Sequence, residues 1–150
     1  MIMTPRYAID TQVFNWMRDF EFDLSVFQPA QFFISPVQME ELKAGNDTEL
    51  LRLVDCWIDE VQPAESFVFG VKGGGFGQGK FSDGRTYSRI LNALNAAKKK
   101  RNNPQDSLIG EHAYKNGLIL LTGDLLLAET MKRLGGKVHF VEHPSKATLD

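Results

Sequence analysis

The sequence predicts an α/β fold, a three-layer α/β/α sandwich in which helices cover both faces of a mainly parallel sheet. Short apolar runs of strand length alternate along the chain with longer segments whose apolar residues recur at helical spacing. The run at residues 118–122 is apolar at nearly every position, which is typical of a parallel strand buried on both faces. Strands and helices that alternate in this way form parallel sheets with right-handed crossovers.

The first strand is predicted at residues 6–9 and is followed, after Asp10, by a helix with apolar residues at 13, 14, 16 and 17. A buried strand at residues 32–34 ends at Ser35, a suitable helix cap, and Pro36 suits the first turn of the next helix. Asp47 or Thr48 can cap a further helix, whose apolar stripe extends up to residue 63.

The second half of the chain continues the alternation. We predict a strand at residues 66–69, a helix at 86–97, a helix opened by Pro104 that extends to about residue 114, and the strand at 118–122. A helix at 125–134, a stop at Gly135 and a strand at 138–141 complete the domain. The domain therefore spans residues 1–142, with a glycine-rich insertion near 72–85 and a loosely held C-terminal tail at 143–150.

Composition excludes several classes of protein. Apolar residues make up 43% of the 150 residues and charged residues 24%, which matches one ordinary globular domain. No apolar run is long enough for a membrane span and the first ten residues do not resemble a signal peptide, so we expect a cytoplasmic protein with no membrane partner. The one cysteine, Cys56, excludes an internal disulfide and is expected to fill the core.

Four carboxylates are candidates for a functional site. Asp10 and Asp124 each follow a predicted strand end, the edge where open α/β sheets bind ligands. Glu41 and Asp106 lie on helices that can face the same crevice. Four clustered carboxylates repel one another and require cations, and hard oxygen ligands select Mg²⁺ or Mn²⁺.

Each carboxylate also has a purely structural interpretation. Asp10 and Asp124 can cap the helices that follow them, and Asp106 can interact with a helix dipole. Glu41 can be a solvated helix residue beside Glu40. Taken singly, these interpretations are favoured; the case for a metal site depends on the four residues together with their surroundings.

Four short segments carry a resemblance to a known family. They are YAIDT at residues 7–11, ISPVQMEEL at 34–42, DSLIGEHA at 106–113 and LLTGD at 120–124. In this order they resemble the PIN-domain nucleases, including the VapC-like toxins, and the resemblance extends from about residue 7 to residue 140. The resemblance implies a parallel sheet between helices and an acidic cluster that binds divalent metal to hydrolyse phosphodiester bonds, usually in RNA, leaving a 3′-hydroxyl and a 5′-phosphate.

The resemblance also assigns roles by position. It implies Asp10, Glu41, Asp106 and Asp124 as metal ligands, with Thr11 and Thr122 as supporting hydroxyls. Glu41 is chosen over Glu40 because it immediately precedes Leu42. The family further implies a toxin-type ribonuclease with an antitoxin-like protein partner. The phenylalanines at 20, 22, 27 and 32 are either core residues or a homodimer face.

Because the net charge is −2, contact with nucleic acid requires a local basic patch. Within and after the glycine-rich insertion, Lys72, Lys80, Arg85 and Arg89 can contact phosphates, or the segment is simply a flexible loop. Residues 98–101, which are Lys98, Lys99, Lys100 and Arg101, either form a solvated helix end or guide a nucleic-acid strand towards Asp106.

Two other functions fit the same pattern. One is a nucleic-acid-binding PIN-like module without catalysis, which would bind RNA in a salt-sensitive way without cleaving it. The other is an Asp-phosphorylated receiver-like domain, because Asp10, Thr122 and Asp124 also lie at strand ends. The sequence lacks the paired early acids and the supporting lysine that a receiver requires.

Overall fold

A computed structural model describes residues 4–57, 61–63 and 85–144, of which 61–63 are described as backbone only. Its central sheet has five parallel strands in the order β3-β2-β1-β4-β5. The strands are β1 (Arg6–Ile9), β2 (Gln31–Ile34), β3 (Val61–Pro63), β4 (Ile119–Thr122) and β5 (Lys137–Phe140). The predicted parallel sheet is confirmed.

Helices cover both faces of this sheet. Within the described residues they are α1 (Thr11–Phe20), a 3-10 helix (Leu24–Phe27), α2 (Pro36–Ala44), α3 (Thr48–Cys56), α4 (Arg85–Ala97), α5 (Asn103–Lys115) and α6 (Leu125–Arg133). Side chains alternate between the faces of a strand. Tyr7 and Ile9 accordingly pack with the α1, α2 and α3 side chains, while Ala8 packs with those of α4, α5 and α6. The three-layer α/β/α sandwich is confirmed.

The connections leave a crevice between β1 and β4. The chain moves outward from β1 to β2 and β3, with α1, α2 and α3 on one face, and then returns to place β4 on the other side of β1. The helices α4, α5 and α6 cover the opposite face. Reversal of strand order at β1 and β4 makes a topological switch point, where loops at the carboxyl ends of the two strands diverge.

Helix starts follow the predicted caps. The Ser35 hydroxyl accepts a hydrogen bond from the Gln38 amide (3.1 Å), and the Gln38 Oε1 accepts one from the Ser35 amide (2.9 Å). This is a capping box, with Pro36 in the first turn of α2. The Asp47 carboxylate accepts a hydrogen bond from the Leu50 amide (3.0 Å), so Asp47 and not Thr48 is the cap of α3.

Two sequence predictions about α3 need correction. The third helix does not extend to residue 63, because α3 ends at Cys56 and Val61–Pro63 forms β3. Proline is tolerated in β3 because this strand lies at the outside of the described sheet, where Pro63 need not donate a hydrogen bond to a neighbouring strand. Cys56 is exposed. It lies two positions after the buried Val54, about 200° around the helix, and therefore faces solvent. The predicted strand at 66–69 and most of the glycine-rich insertion lie outside the described residues.

The end of the described chain is packed against α1. The His143 ring contacts the rings of Trp16 and Phe20 edge-on, with centroids 5.1 Å and 4.7 Å apart. Within the tail predicted at 143–150, these contacts concern His143, and residues 145–150 lie outside the described part of the chain. The Trp16 ring also lies against the backbone of Gly123, where any Cβ atom would overlap the indole. Only glycine fits this position without displacing Trp16.

The four phenylalanines suggested for a homodimer face have mixed positions. Phe32 is buried in the core, and Phe22 and Phe27 are partly buried and pack against it. Phe20 alone among them is largely exposed, at 44%. Core packing therefore accounts for three of the four. Among the described residues, no helix has the length and apolar character needed to cross a membrane.

Candidate active site

The four predicted carboxylates face one cavity of about 380 Å³ at the switch point between β1 and β4. Asp10 follows β1, Glu41 lies on α2, Asp106 lies in the first turn of α5 and Asp124 caps α6. The lining residues are Asp10, Thr11, Gln12, Asn15, Glu41, Asn102, Gln105, Asp106, Ile109 and Asp124. Residues separated by more than 100 positions in the sequence are therefore brought to one site.

A buried threonine links two of the carboxylate residues. The Thr122 hydroxyl donates a hydrogen bond to Asp10 Oδ2 (2.7 Å) and accepts one from the Asp124 amide (3.0 Å). The Asp10 amide in turn donates to the Leu121 carbonyl (3.0 Å). Because a hydroxyl can donate and accept at once, Thr122 fixes both strand ends relative to each other. The predicted supporting hydroxyl is positioned behind Asp10.

Both carboxylate oxygens of Asp124 have partners. Its Oδ1 accepts a hydrogen bond from the Leu127 amide (3.2 Å) at the start of α6, and its Oδ2 lies 3.5 Å from the Lys100 Nζ. Asp124 is thus the cap that the structural interpretation predicts and also a residue of the cavity. The two interpretations are compatible because a carboxylate has two oxygens.

Thr11 is held by a buried glutamine. Gln38 Nε2 donates hydrogen bonds to the Ile9 carbonyl (2.7 Å) and to Thr11 Oγ1 (3.1 Å). Because Thr11 Oγ1 accepts from Gln38, the Thr11 hydroxyl proton is directed elsewhere, and Thr11 lines the cavity. Gln38 therefore connects the capping box of α2 to the first turn of α1.

Glu41 and Glu40 differ in position although they are adjacent. Glu41 lines the carboxylate cavity at its exposed rim, whereas Glu40 lines a separate apolar cavity of about 230 Å³ with Met39 and Ile34. The geometry thus distinguishes two residues that the sequence distinguishes only through the resemblance. Their different positions supply a matched pair for mutagenesis.

Burial and mutual repulsion disfavour negative charge in the cavity. Burial, followed by the charges of Asp10 and Asp124, raises the pKa of Asp106 to about 7, although Lys100 acts in the opposite direction. Burial also raises the pKa of Asp10, partly offset by the hydrogen bond from Thr122. At Glu41 the limited burial raises the pKa as well. A bound cation would relieve this electrostatic cost, because it favours the ionised carboxylates.

The donor set fits a hard divalent cation. Carboxylate oxygens, the Thr11 hydroxyl and the amide side chains of the lining suit Mg²⁺ or Mn²⁺. In the conformation described, no three of the His, Cys, Asp and Glu side chains of residues 4–57 and 85–144 form a ready coordination group. Glu41 is exposed at the rim and Asp124 is partly exposed, so the side chains of these two residues can reorient at the least cost.

The candidate basic residues separate into two groups. Lys98, Lys99 and Arg101 are exposed beside Lys100, at the end of α4 nearer the cavity. Arg85 and Arg89 lie in the first turns of α4, about 18 Å and about 12 Å from the helix end at Ala97 for a rise of 1.5 Å per residue. These two arginines are thus far from the end of α4 that is nearer the cavity. Lys72 and Lys80 lie outside the described residues.

Sequence reasoning missed the amide side chains of the cavity. Asn15, Asn102 and Gln105 line it, and the Asn102 Nδ2 donates a hydrogen bond to Asp106 Oδ2 (3.2 Å). Helical spacing was the available signal, because Asn15 lies four positions after Thr11 and Asn102 four positions before Asp106. Gln38 was missed for a different reason, since its contacts reach across 27 to 29 positions.

Comparison with known proteins supports the fold. A solved structure described as a domain of a functionally unknown protein from Methanocaldococcus jannaschii DSM 2661 has a TM-score of 0.55 and 18% sequence identity, over 93% of this chain and 92% of that chain. At this identity the likeness concerns the fold alone. No protein-family model matches the sequence. No curated protein matches it either.

Proposed function

We propose that this chain is a divalent-metal-dependent endonuclease of the PIN type that hydrolyses phosphodiester bonds in RNA. The observation that carries the proposal is the convergence of Asp10, Glu41, Asp106 and Asp124 on one cavity at the switch point. Electrostatics supports it, because burial and like charges raise the pKa of Asp106 to about 7 and disfavour ionisation without a cation. The order of the four motifs along the chain supports the same assignment.

Each residue has a part in the proposed reaction. Asp10, Glu41, Asp106 and Asp124 would hold one or two ions, while Thr122 keeps Asp10 in place and Thr11 offers a hydroxyl donor to the cavity. When bound, Mg²⁺ or Mn²⁺ orients the phosphate, lowers the pKa of the attacking water and stabilises the leaving oxygen. Attack by water requires no covalent enzyme intermediate. Lys98, Lys99, Lys100 and Arg101 would attract the nucleic-acid backbone.

The test is cleavage of unstructured RNA and of single-stranded DNA by the purified protein in Mn²⁺, Mg²⁺ or EDTA. We expect cleavage of RNA with either metal and none in EDTA. Asp10→Asn and Asp124→Asn should each lower the cleavage rate by roughly 100-fold or more, because each removes a charged group that stabilises the transition state. Hydrolysis that persists in EDTA would refute the proposal.

Adjacent glutamates on α2 provide the matched control. Glu41→Gln removes a cavity carboxylate and should lower the rate, whereas Glu40→Gln removes the same charge one position away and should leave the rate unchanged. Equal loss in both variants would mean that the general negative field, and not the cavity, explains the effect. Circular dichroism of each variant checks that the fold is retained.

A second function is favoured by one specific observation. Lys100 Nζ lies 3.5 Å from Asp124 Oδ2, so a cation of the protein itself already pairs with a carboxylate of the cavity. This arrangement suits a nucleic-acid-binding module that has no catalytic activity. Salt-sensitive RNA binding without cleavage in any metal would identify that module.

The biological setting follows from the resemblance alone. On that basis we extend the proposal to a cytoplasmic, toxin-type ribonuclease whose activity an antitoxin-like protein blocks. Co-expression provides the measurement, because a toxic nuclease slows growth of the producing cell and the Asp10→Asn variant does not. Normal growth with abundant active protein would contradict this extension.

A further inference from the structure

Lys100 places an ammonium group beside Asp124, one of the carboxylates of the acidic cavity. Its Nζ lies 3.5 Å from Asp124 Oδ2, and about a third of its side chain is exposed. Its charge also opposes the rise in the pKa of Asp106, so Lys100 acts on two of the four carboxylates. A cation of the protein itself thus lies beside a carboxylate of the cavity.

The backbone at Lys100 is held in place by Asn103, whereas the partly exposed side chain contacts Asp124 alone among the ion pairs described. Asn103, which is fully buried, donates hydrogen bonds from Nδ2 to Asn95 Oδ1 (2.8 Å) and to the Lys98 carbonyl (2.9 Å). Its amide donates to the Lys100 carbonyl (3.2 Å). The connection between α4 and α5 is therefore fixed at the cavity rim. The four-carbon side chain of Lys100 can swing from this fixed point.

A divalent cation and Lys100 compete for one oxygen of Asp124. The other oxygen, Oδ1, accepts the capping hydrogen bond from the Leu127 amide at 3.2 Å. A metal bound at Oδ2 leaves the cap undisturbed, and Oδ2 is the oxygen that Lys100 contacts. A metal ion on Oδ2 and the Lys100 ammonium group would repel each other, which favours displacement of the ammonium group.

We infer that Lys100 is a displaceable counter-cation: it neutralises Asp124 until a divalent cation binds there, and it is then released to contact a phosphate of the nucleic-acid strand. The inference rests on the proposed function, because it assumes a metal at the carboxylates. The inference adds that metal binding and nucleic-acid binding are coupled through the side chain of Lys100. Such coupling is reciprocal, so a bound nucleic acid also strengthens metal binding.

The first measurement is calorimetric titration with Mn²⁺ alone. Lys100→Gln removes the competitor and should bind Mn²⁺ about two- to fivefold more tightly than wild type, the range expected for a partly exposed ion pair. Lys99→Gln removes the same charge from an exposed neighbour and should keep the wild-type affinity. Lys100→Arg retains a cation at the rim and should also behave like wild type.

The second measurement is the salt dependence of binding to a fluorescent single-stranded RNA, recorded by stopped flow before cleavage proceeds. In Mn²⁺, Lys100→Gln should reduce the slope of log affinity against log salt by about 0.7, the loss of one phosphate contact to a single strand. In EDTA the slopes of wild type and Lys100→Gln should be equal, because Lys100 is then engaged by Asp124. A slope difference of the same size in both conditions would overturn the inference.

The outcomes separate this inference from the proposed function. If wild type binds Mn²⁺ and Lys100→Gln binds it with equal affinity, the inference is wrong and the proposed function stands. If wild type binds no Mn²⁺, both are wrong. Tighter Mn²⁺ binding in Lys100→Gln but not in Lys99→Gln is the result that we expect.

Discussion

At the scale of single residues, Asp106 shows most clearly how burial and neighbouring carboxylates oppose the ionisation of a carboxyl group. It is buried in the first turn of α5, it lies near Asp10 and Asp124, and its pKa is raised to about 7. The ordinary carboxyl ionises near 3.8. Between these pH values the folded protein binds more protons than the unfolded chain, so stability falls as pH rises from about 4 to 7.

Asp106→Asn should therefore stabilise the metal-free protein at high pH. In EDTA, we expect its free energy of unfolding to exceed that of wild type by an amount on the order of 1 to 4 kcal/mol at pH 8, and to equal it near pH 4. Urea unfolding across this pH range gives the measurement. A difference between the two proteins that does not change with pH would contradict the raised pKa of Asp106.

The sequence predicts the charged part of the site better than the neutral part. Asp10 and Asp124 could be found because strand ends in a parallel sheet share one edge. Asn15 and Asn102 have only their spacing of four positions from Thr11 and Asp106 as a signal, which is weak because amide side chains occur throughout protein surfaces. Glu41 was separable from Glu40 only by the resemblance, because neighbouring helix positions differ by about 100° and the sheet contact is not visible in the sequence.

At the scale of elements, the junction between β4 and α6 depends on contact with α1. Gly123 connects the strand to the cap Asp124, and the Trp16 ring occupies the space where a side chain at position 123 would lie. The indole thus fixes the distance between α1 and the start of α6. Since Asp10 precedes α1 and Asp124 precedes α6, this contact also sets the separation of two site residues.

Gly123→Ala should test this dependence. The added methyl group must displace Trp16, and we expect a loss of about 1 to 3 kcal/mol in the free energy of unfolding, measured with urea. Gly45→Ala is the control, because its Cβ would make an ordinary contact, 3.4 Å from the Glu41 carbonyl, at a right-handed helical conformation. Its effect should stay within about 0.5 kcal/mol. Similar losses in both variants would show that the Trp16 contact is not the cause.

The main helices and the four-residue strands were predictable, whereas the third strand was not. The start of α2 followed from Ser35 and Pro36, whose capping and backbone preferences act locally. The strand β3 has only three residues, Val61–Pro63, and its pairing with β2 is decided by a neighbour about 30 positions away. A proline in so short a segment indicates a helix stop as readily as an outer strand.

At the scale of the whole molecule, the net charge of −2 conceals a strongly acidic cavity beside a basic connection. A ligand that binds the folded state alone stabilises it by mass action. The proposed metal is such a ligand, because its carboxylates come from four separate elements that unfolding would disperse. Binding should therefore be visible as thermal stabilisation.

Mn²⁺ at about 100 times its dissociation constant should raise the melting temperature by roughly 5 to 10 °C for a chain of this size. The shift should be larger at pH 8 than at pH 6, because Asp106 must be ionised to bind the cation and its pKa is about 7. Differential scanning fluorimetry provides the measurement and EDTA should reverse the shift. The same shift in Asp10→Asn would place the metal elsewhere.

The order in which the site is assembled has a consequence for synthesis of the protein. The hydrogen bond between Thr122 and Asp10 spans 112 positions, and β4, which carries the second half of the crevice, is the fourth of the five described strands. A nascent chain on the ribosome that has not yet released residue 124 has no complete cavity. Under the proposed nuclease function, the protein would not cleave the message or the ribosomal RNA beside it until residues 10–124 have been translated and folded.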